Sequence, residues 1–510
     1  MGRHNILFVI LLVFAACQVG KENSTQSNHP IVALYNPQDK PFYHGVASGD
    51  PLDDRVIIWT RVTPDDSTAS VEVTWELADN ETFESIAKSG KVTTGPERDH
   101  TVKVDVDGLQ AGRHYFYRFN ALGSTSPVGR TKTLPRDAVD SLKFAVVSCS
   151  NWQHGYFNAY DRIAEKEVDV VLHLGDYIYE YGIGNARNVD RRHLPEHEVI
   201  TLDDYRLRYA QYHLDPGLRK LRMRHPLITI WDDHEVANNT YSKGAQNHQE
   251  EEGDFEARKR AARQAYYEWI PIRESEKHYR AFRFGPLADL IMLDERQEGK
   301  TEPAAGVTDP RYPAEDRSML GTEQLAWFEQ ELRRNSVTWK LIGNQVTFSD
   351  LDRSAVSPKN PRNMDSWDGY PAEKTRVARI IRENAIRNVV FLTGDTHASW
   401  AYEVVADPLG SPGRADYTPI AVEFGTPSVS STNSNESLPD DTVKVREQLY
   451  MQSNPHLKYV NQRDHGYVLL TLFPERARAD WYYVGTVLHP DTTETLARSF
   501  QVPVNRPRLQ

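Results

Sequence analysis

Apolar and polar positions follow two different rhythms along this chain, and the change falls near residue 140. Before it, short runs alternate with period two. Val71-Glu72-Val73-Thr74-Trp75-Glu76-Leu77 does so strictly, and Thr101 to Val106 repeats the pattern before a turn at Asp107-Gly108-Leu109. Val56 to Val62 and His114 to Phe119 add two further runs. Period-two alternation turns one face to a core and the other to water. Several such strands at this spacing predict a β-sandwich of the immunoglobulin or fibronectin type over residues 39–136.

Beyond residue 140 the apolar runs become continuous, as in strands covered on both faces. They are Leu142 to Val147, Val170 to Leu174, Leu227 to Trp231, Leu290 to Leu293, Lys340 to Ile342 and Asn388 to Leu392. Helical patterns intervene at Phe157 to Lys166, Ala257 to Trp269, Thr322 to Arg334 and Glu373 to Asn384. Alternating strands and helices predict an α/β domain over residues 140–500. Tyr467 to Leu472 and Arg478 to Val484 read as a hairpin around Pro474-Glu475. Two polar stretches, Gly182 to Val199 and Ser349 to Pro371, are too long for idle connections. Each follows a site-bearing strand, so each is expected to cover a substrate.

The endings of the six continuous runs carry the chemistry. They are Ser148-Cys149-Ser150, Gly175-Asp176, Asp232-Asp233-His234-Glu235, Asp294-Glu295-Arg296, Gly343-Asn344-Gln345 and Gly394-Asp395-Thr396-His397. Ligands in open α/β sheets collect at the carboxyl ends of strands. One polar ending is usually a turn. Six on one sheet predict one shared site. Cys149, Asp176, Tyr179, Asp233, His234, Asp395 and His397 together supply thiolate, carboxylate, phenolate and imidazole. Thiolate with phenolate suits a borderline redox metal such as ferric iron, and carboxylate oxygen suits Ca²⁺.

Composition narrows the function. The chain has 510 residues, enough for two domains, and a formal net charge of −12. That charge excludes a broad phosphate-binding surface for DNA or RNA. Local cations, such as metals, must draw in any anionic substrate. Of the two cysteines, Cys17 belongs to an expected export signal: Arg3 and His4, an apolar core from Ile6 to Phe14, then Ala15-Ala16-Cys17. That ending resembles a bacterial lipobox, with Phe14 where Leu is usual. Lipidation of Cys17, after a signal at 1–17, is expected, with a polar tether at 18–38. This leaves Cys149 without a disulfide partner. The apolar core is too short to span a membrane.

The ordered motifs resemble one known family, the alkaline phosphatase D (PhoD-like) metallophosphatases. Phe42 to Pro51 and Val56 to Pro64 resemble its N-terminal opening. Ser148-Cys149-Ser150, GDYIYEY from Gly175, WDDHE from Trp231, LDER from Leu293, GNQV from Gly343 and GDTHASW from Gly394 resemble its catalytic blocks. The resemblance implies a β-sandwich followed by a four-layer αββα metallophosphoesterase domain. It implies an exported phosphatase, periplasmic or on the cell surface, with Fe³⁺ and Ca²⁺. Cys149 and Tyr179 would bind iron, Asp176 would bridge, Asp395 would lie on the iron side, and His397 would lie close by. Asp233 and Asn238 would be calcium ligands. His234 and Arg296 would contact phosphate, Arg296 as a two-pronged guanidinium. Gln297-Glu298-Gly299 departs from the family pattern at the substrate edge.

The implied reaction is hydrolysis of phosphate monoesters, with diesters accessible to the same metals. A phosphodiesterase or phospholipase D-like enzyme is the alternative within that class. A surface protein whose sandwich binds a glycan or partner is the alternative outside it. A covalent serine at Ser148 is disfavoured, because the G-x-S-x-G elbow is missing there. A monomer is expected, touching membrane only through its lipid.

Overall fold

The computed structural model describes residues 30–184, 191–334, 336–406 and 418–510. The expected signal and Cys17 lie outside the described residues. The tether expected to reach residue 38 is packed from residue 30 onward. Pro30–Leu34 and Pro37–Asp39 are short 3₁₀ turns, Ile31 is buried, and the Tyr35 ring stacks on Tyr43 at 4.1 Å. Among the described residues, no helix is long and apolar enough to cross a membrane.

The continuous apolar runs form strands as expected, and they divide between two sheets. Leu142–Val147, Val170–His173 and Pro226–Thr229 lie side by side and parallel in a nine-stranded sheet. Ala288–Met292, Trp339–Gly343 and Val389–Thr393 do the same in a seven-stranded sheet. The side-chain period of two explains the stacking. Along one strand Val170 and Leu172 enter a core shared with Leu290, Leu341 and Leu392 of the other sheet. Val171 turns the opposite way, into a core with Tyr160, Tyr209 and Ala265 from the helices Asn158–Ala164, Leu202–Tyr212 and Phe255–Trp269. Beyond the second sheet, Ile291, Ile342 and Phe391 pack on Phe328 and Ile381 of the helices Gly321–Arg333 and Pro371–Glu383. The two sheets therefore face each other, and their parallel strands bring six carboxyl ends together.

The N-terminal strands divide. Val71–Ala78, Ile86–Thr94 and His114–Ala121 belong to a separate five-stranded sheet. Val46–Gly49, Val56–Arg61 and Thr101–Val106 instead extend the nine-stranded sheet, with Val46–Gly49 parallel to Pro226–Thr229. One core of Val56, Ile58, Val73, Tyr117 and Phe119 joins these two groups of strands. At the other edge the expected hairpin is present as Gly466–Leu472 and Arg476–Val484, and Glu494–Pro503 continues it.

Candidate metal centre

The backbone leaves three of the six site-bearing strands through a left-handed conformation. Cys149 has φ 61°, Asp176 55°, Asp395 62° and His397 53°. A non-glycine residue held there costs about 1–3 kcal/mol, and such strain persists only where neighbours over-determine it. Here they do. Cys149 N–H donates to Gly175 O at 3.1 Å and Ser150 N–H to Asp176 O at 2.9 Å, so the ladder continues past the strands. Gly394 N–H reaches Gln345 O at 2.9 Å in the second sheet. Gly175, at φ 104°, is needed for two reasons: its backbone angle, and the side chain of Asp232, which a Cβ would meet at 2.3 Å.

Buried glutamates tie the turns to one another. Glu235 accepts from the N–H groups of Asp232 at 2.8 Å, Asp176 at 3.2 Å and Tyr177 at 2.5 Å. Glu295 accepts from Gln345 N–H at 2.9 Å and the Trp367 indole at 2.6 Å. The two sheets are joined where the Trp231 indole donates to Asp294 at 2.7 Å and the Gln345 amide donates to Trp231 O at 2.9 Å.

The converging side chains form three overlapping donor groups, each with ligand atoms within 4.8 Å of one another. The first is Cys149, Asp176 and His397; the second Asp176, Asp233 and His234; the third Asp232, Asp233 and Asp395. Tyr179 joins the first: its hydroxyl donates to Asp176 Oδ2 at 3.0 Å and lies 3.2 Å from His397 Nε2. His397 Nδ1 faces Thr432 O at 3.0 Å, which leaves Nε2 toward the site. His234 is clamped by Glu180, whose Oε2 lies 2.7 Å from Nδ1, and its ring lies 4.2 Å from that of Tyr179. Glu180 is itself fixed by the Asn238 N–H at 2.7 Å and the Asn247 amide at 2.8 Å.

The electrostatics are those of crowded acids. Burial pushes the Cys149 thiol and the Tyr179 phenol up, and the Asp176 carboxylate reinforces both shifts. Burial likewise raises Asp176 and Asp232, and brings Asp395 to about 6. For Asp233, burial is outweighed by Arg296 and His234, which hold it below the carboxylate range. For His234, burial is outweighed by Asp233, Glu180 and Asp176, which raise it well above the ordinary histidine range. Asp176 Oδ1 and Asp232 Oδ2 are buried with no hydrogen-bond partner. Two orphaned carboxylate oxygens, a buried thiol, a phenol and imidazoles fit metal cations, which would lower the raised thiol, phenol and carboxylate values. The donors differ in kind: sulfur, phenol and imidazole at one end, carboxylates alone at the other.

Three of the expected site residues have surroundings that their motifs did not show. Arg296 does not present a free fork to phosphate. It is fully buried, and each guanidinium nitrogen already faces a carboxylate: Nε that of Asp232, Nη1 that of Asp365 at 2.5 Å, Nη2 that of Asp395 at 3.0 Å and Asp233 at 3.5 Å. Asp395 forms a donor group with Asp232 and Asp233, and its charge also reaches Cys149. Asn238 donates its amide nitrogen to Gln246 Oε1 at 3.1 Å, a bond that does not use Oδ1, the atom a calcium ion would take. Asp232, Asp365, Lys300 and Glu180 are site residues that sequence reading passed over. Lys300 is buried and its Nζ lies 2.5 Å from Asp365 Oδ1. Asp232 and Glu180 stood inside recognised motifs; Asp365 comes from the long polar stretch 349–371, where nothing local distinguishes it.

A Ser-His-Glu line also occurs. Ser428 Oγ lies 2.9 Å from His465 Nδ1, and His465 Nε2 lies 2.9 Å from Glu436. Ser428 is fully buried and its hydroxyl also lies 2.7 Å from Ser431 O, so this is an internal brace.

Comparison with known proteins gives the chain's relatives. The profile of the PhoD-like phosphatase family matches residues 144–481, and that of the PhoD-like phosphatase N-terminal domain matches residues 27–135. The chain is 37% identical over 495 residues to alkaline phosphatase D of Bacillus subtilis (strain 168), covering 92% of this chain and 82% of that protein. A solved structure described as PhoD superposes with a TM-score of 0.83 at 34% identity, covering 93% of this chain and 92% of the other.

Proposed function

The chain belongs to the PhoD-like phosphatase family and is a metal-dependent phosphoric ester hydrolase, and on that premise we propose that it hydrolyses phosphate monoesters outside the cytoplasm, anchored by a lipid on Cys17. The observation that carries the reading is the meeting of two chemically distinct donor groups at six strand ends. Cys149, Asp176, Tyr179 and His397 would hold Fe³⁺; Asp232, Asp233 and Asp395 would hold Ca²⁺, with Asp176 between. When bound, such ions neutralise phosphate charge and supply a water of lowered pKa. His234, oriented by Glu180 through Nδ1, would donate from Nε2 to a phosphate oxygen. Arg296 and Lys300 balance the carboxylates that the ions do not. We read the stacked cores as the four-layer αββα arrangement, and the N-terminal strands as an immunoglobulin-like sandwich that caps it. The protein acts as a monomer.

One observation favours diesters as a second substrate class. Clefts adjoin the carboxylates on two sides, about 260 Å³ beside Asp395 and about 410 Å³ beside Asp365, which gives room for a substituent on each side of a phosphate.

Metal analysis of the purified protein, with rates on phenyl phosphate and diphenyl phosphate, tests the reading. Iron and calcium with turnover of the monoester is the expected result. A fully active protein carrying zinc alone would overturn the metal assignment, and no turnover of either ester would overturn the function. Mass spectrometry of the mature N-terminus decides the anchor: an unmodified start downstream of Cys17 removes it.

A further inference from the structure

The two clefts differ in charge, and the difference identifies what the substrate carries beyond its scissile phosphate. The cleft beside Asp365 is lined by Asn239, Tyr241, Gln246 and Glu302, with no lysine or arginine. The cleft beside Asp395 is lined by two arginines, Arg353 and Arg446. They come from unrelated elements: Arg353 from the long stretch 349–371, Arg446 from the helix Asp440–Ser453. Each is half-buried. Neither guanidinium has an ion-pair partner among the described residues, and Arg446 Nε is buried with no hydrogen-bond partner.

Each of the acids in the same wall already has a cationic partner of its own. Asp368 is bonded to Lys374 Nζ at 2.7 Å, and Asp395 to Arg296 at 3.0 Å. The two arginines therefore have charge to spare. A buried guanidinium nitrogen without an acceptor is costly, and a carboxylate or phosphate satisfies it best. Trp400 and Tyr450 are buried in the same wall, their rings edge to face at 5.7 Å, and give an apolar surface for a short carbon chain.

We propose that this cleft is a subsite for the alcohol part of the substrate, and that this alcohol bears a second anionic group held by Arg353 and Arg446. The inference rests on the phosphatase reading above. It makes the two arginines specificity-determining residues, and makes the preferred substrate an ester with two anionic ends.

The test uses two alkyl monophosphates of matched reactivity: the phosphate ester of 3-hydroxypropylphosphonate and that of 1-butanol. The metal-loaded protein is expected to show a kcat/KM for the phosphonate-bearing ester at least about ten-fold higher, the effect of one charge-assisted contact. Arg353→Gln and Arg446→Gln should each cut that ratio by roughly ten-fold. Equal kcat/KM on the two esters in the parent, or variants that lower both alike, would overturn the subsite. Calorimetry with free 3-hydroxypropylphosphonate separates this from the underlying reading. If neither ester is hydrolysed yet the alcohol binds in an arginine-dependent way, the hydrolytic function falls and the subsite stands. If the alcohol does not bind, the subsite falls whatever the turnover.

Discussion

Arg296 Nη1 lies 2.5 Å from Asp365 Oδ2, deep in the molecule, joining the end of strand Ala288–Met292 to the loop 349–371. The same guanidinium faces Asp232, Asp233 and Asp395. Removing it leaves these carboxylates together without their shared counter-charge. Breaking a buried pair from one side costs about 3–5 kcal/mol. Arg296→Ala is therefore expected to lose about that much stability when stripped of metal, and to recover part of it in Ca²⁺. Denaturant melts with chelator and with calcium check this. An unchanged midpoint in chelator would show that the carboxylates do not depend on Arg296.

Glu180 and His234 form the second test. Carboxylates that orient a histidine near a metal typically contribute 10–100-fold in activity or metal affinity. Glu180→Gln keeps the shape but not the charge that helps to raise the His234 pKa. A fall in kcat/KM of roughly 10–100-fold is expected, with the limb of the pH profile that needs protonated His234 moved to lower pH. A variant with the parent's rate and profile would remove His234 from the reaction.

Gly175 is the third. Alanine there must adopt φ 104° and meet the Asp232 side chain at 2.3 Å. Gly175→Ala should cost about 2–4 kcal/mol and abolish metal retention. Gly184→Ala is the control, since a Cβ there meets nothing within 4 Å. Equal melting temperatures for the two variants would show that the turn relaxes freely.

Thiolate and phenolate ligands both give a ferric ion visible absorption. Cys149→Ala and Tyr179→Phe are each expected to shift or erase the band while far-ultraviolet circular dichroism is unchanged. Parent-like spectra in both variants would place iron elsewhere.

Lys103 sets a pH effect remote from the site. It donates to Tyr267 O, lies 3.4 Å from Glu274, and burial brings its pKa to about 8. The unfolded chain takes up this proton near the ordinary lysine value, about 10.4, whereas the folded chain waits until about 8. Stability contributed above 10.4 is thus lost as pH falls to about 8 and stays lost below it. Relative to the parent, Lys103→Met should gain on the order of 3 kcal/mol across that window and then level off. A difference independent of pH would show Lys103 titrating normally.

Local signals carried much of the site into view. Gly-Asp at a strand end, the Asp-Asp-His-Glu block and the Gly-Asp-Thr-His block are punctuation written within a few residues, and Cys149, Asp176, Asp233, His234 and His397 do converge. Partnership between sheets is not local. An apolar run reads the same whichever sheet receives it, so the runs alone do not say how the six strands divide; only the family resemblance, with its αββα layers, implied two sheets. The same holds for Asp365, whose role comes from Arg296, 69 residues away in sequence. Arg296 itself was found, but its surroundings were not. A motif names the residue, and only the fold says how many acids will crowd around it.

The parallel pairing of Ser48 with Pro226 and of Gly49 with Leu227 bears on how the chain assembles. The segment made first on the ribosome cannot complete its sheet until a strand made much later has emerged. Until then Val46–Gly49 keeps an open edge, the kind of surface that recruits other chains. Folding is therefore gated by a long-range closure, and slow and cooperative for that reason. A fragment ending before residue 226 should aggregate rather than fold as an autonomous unit.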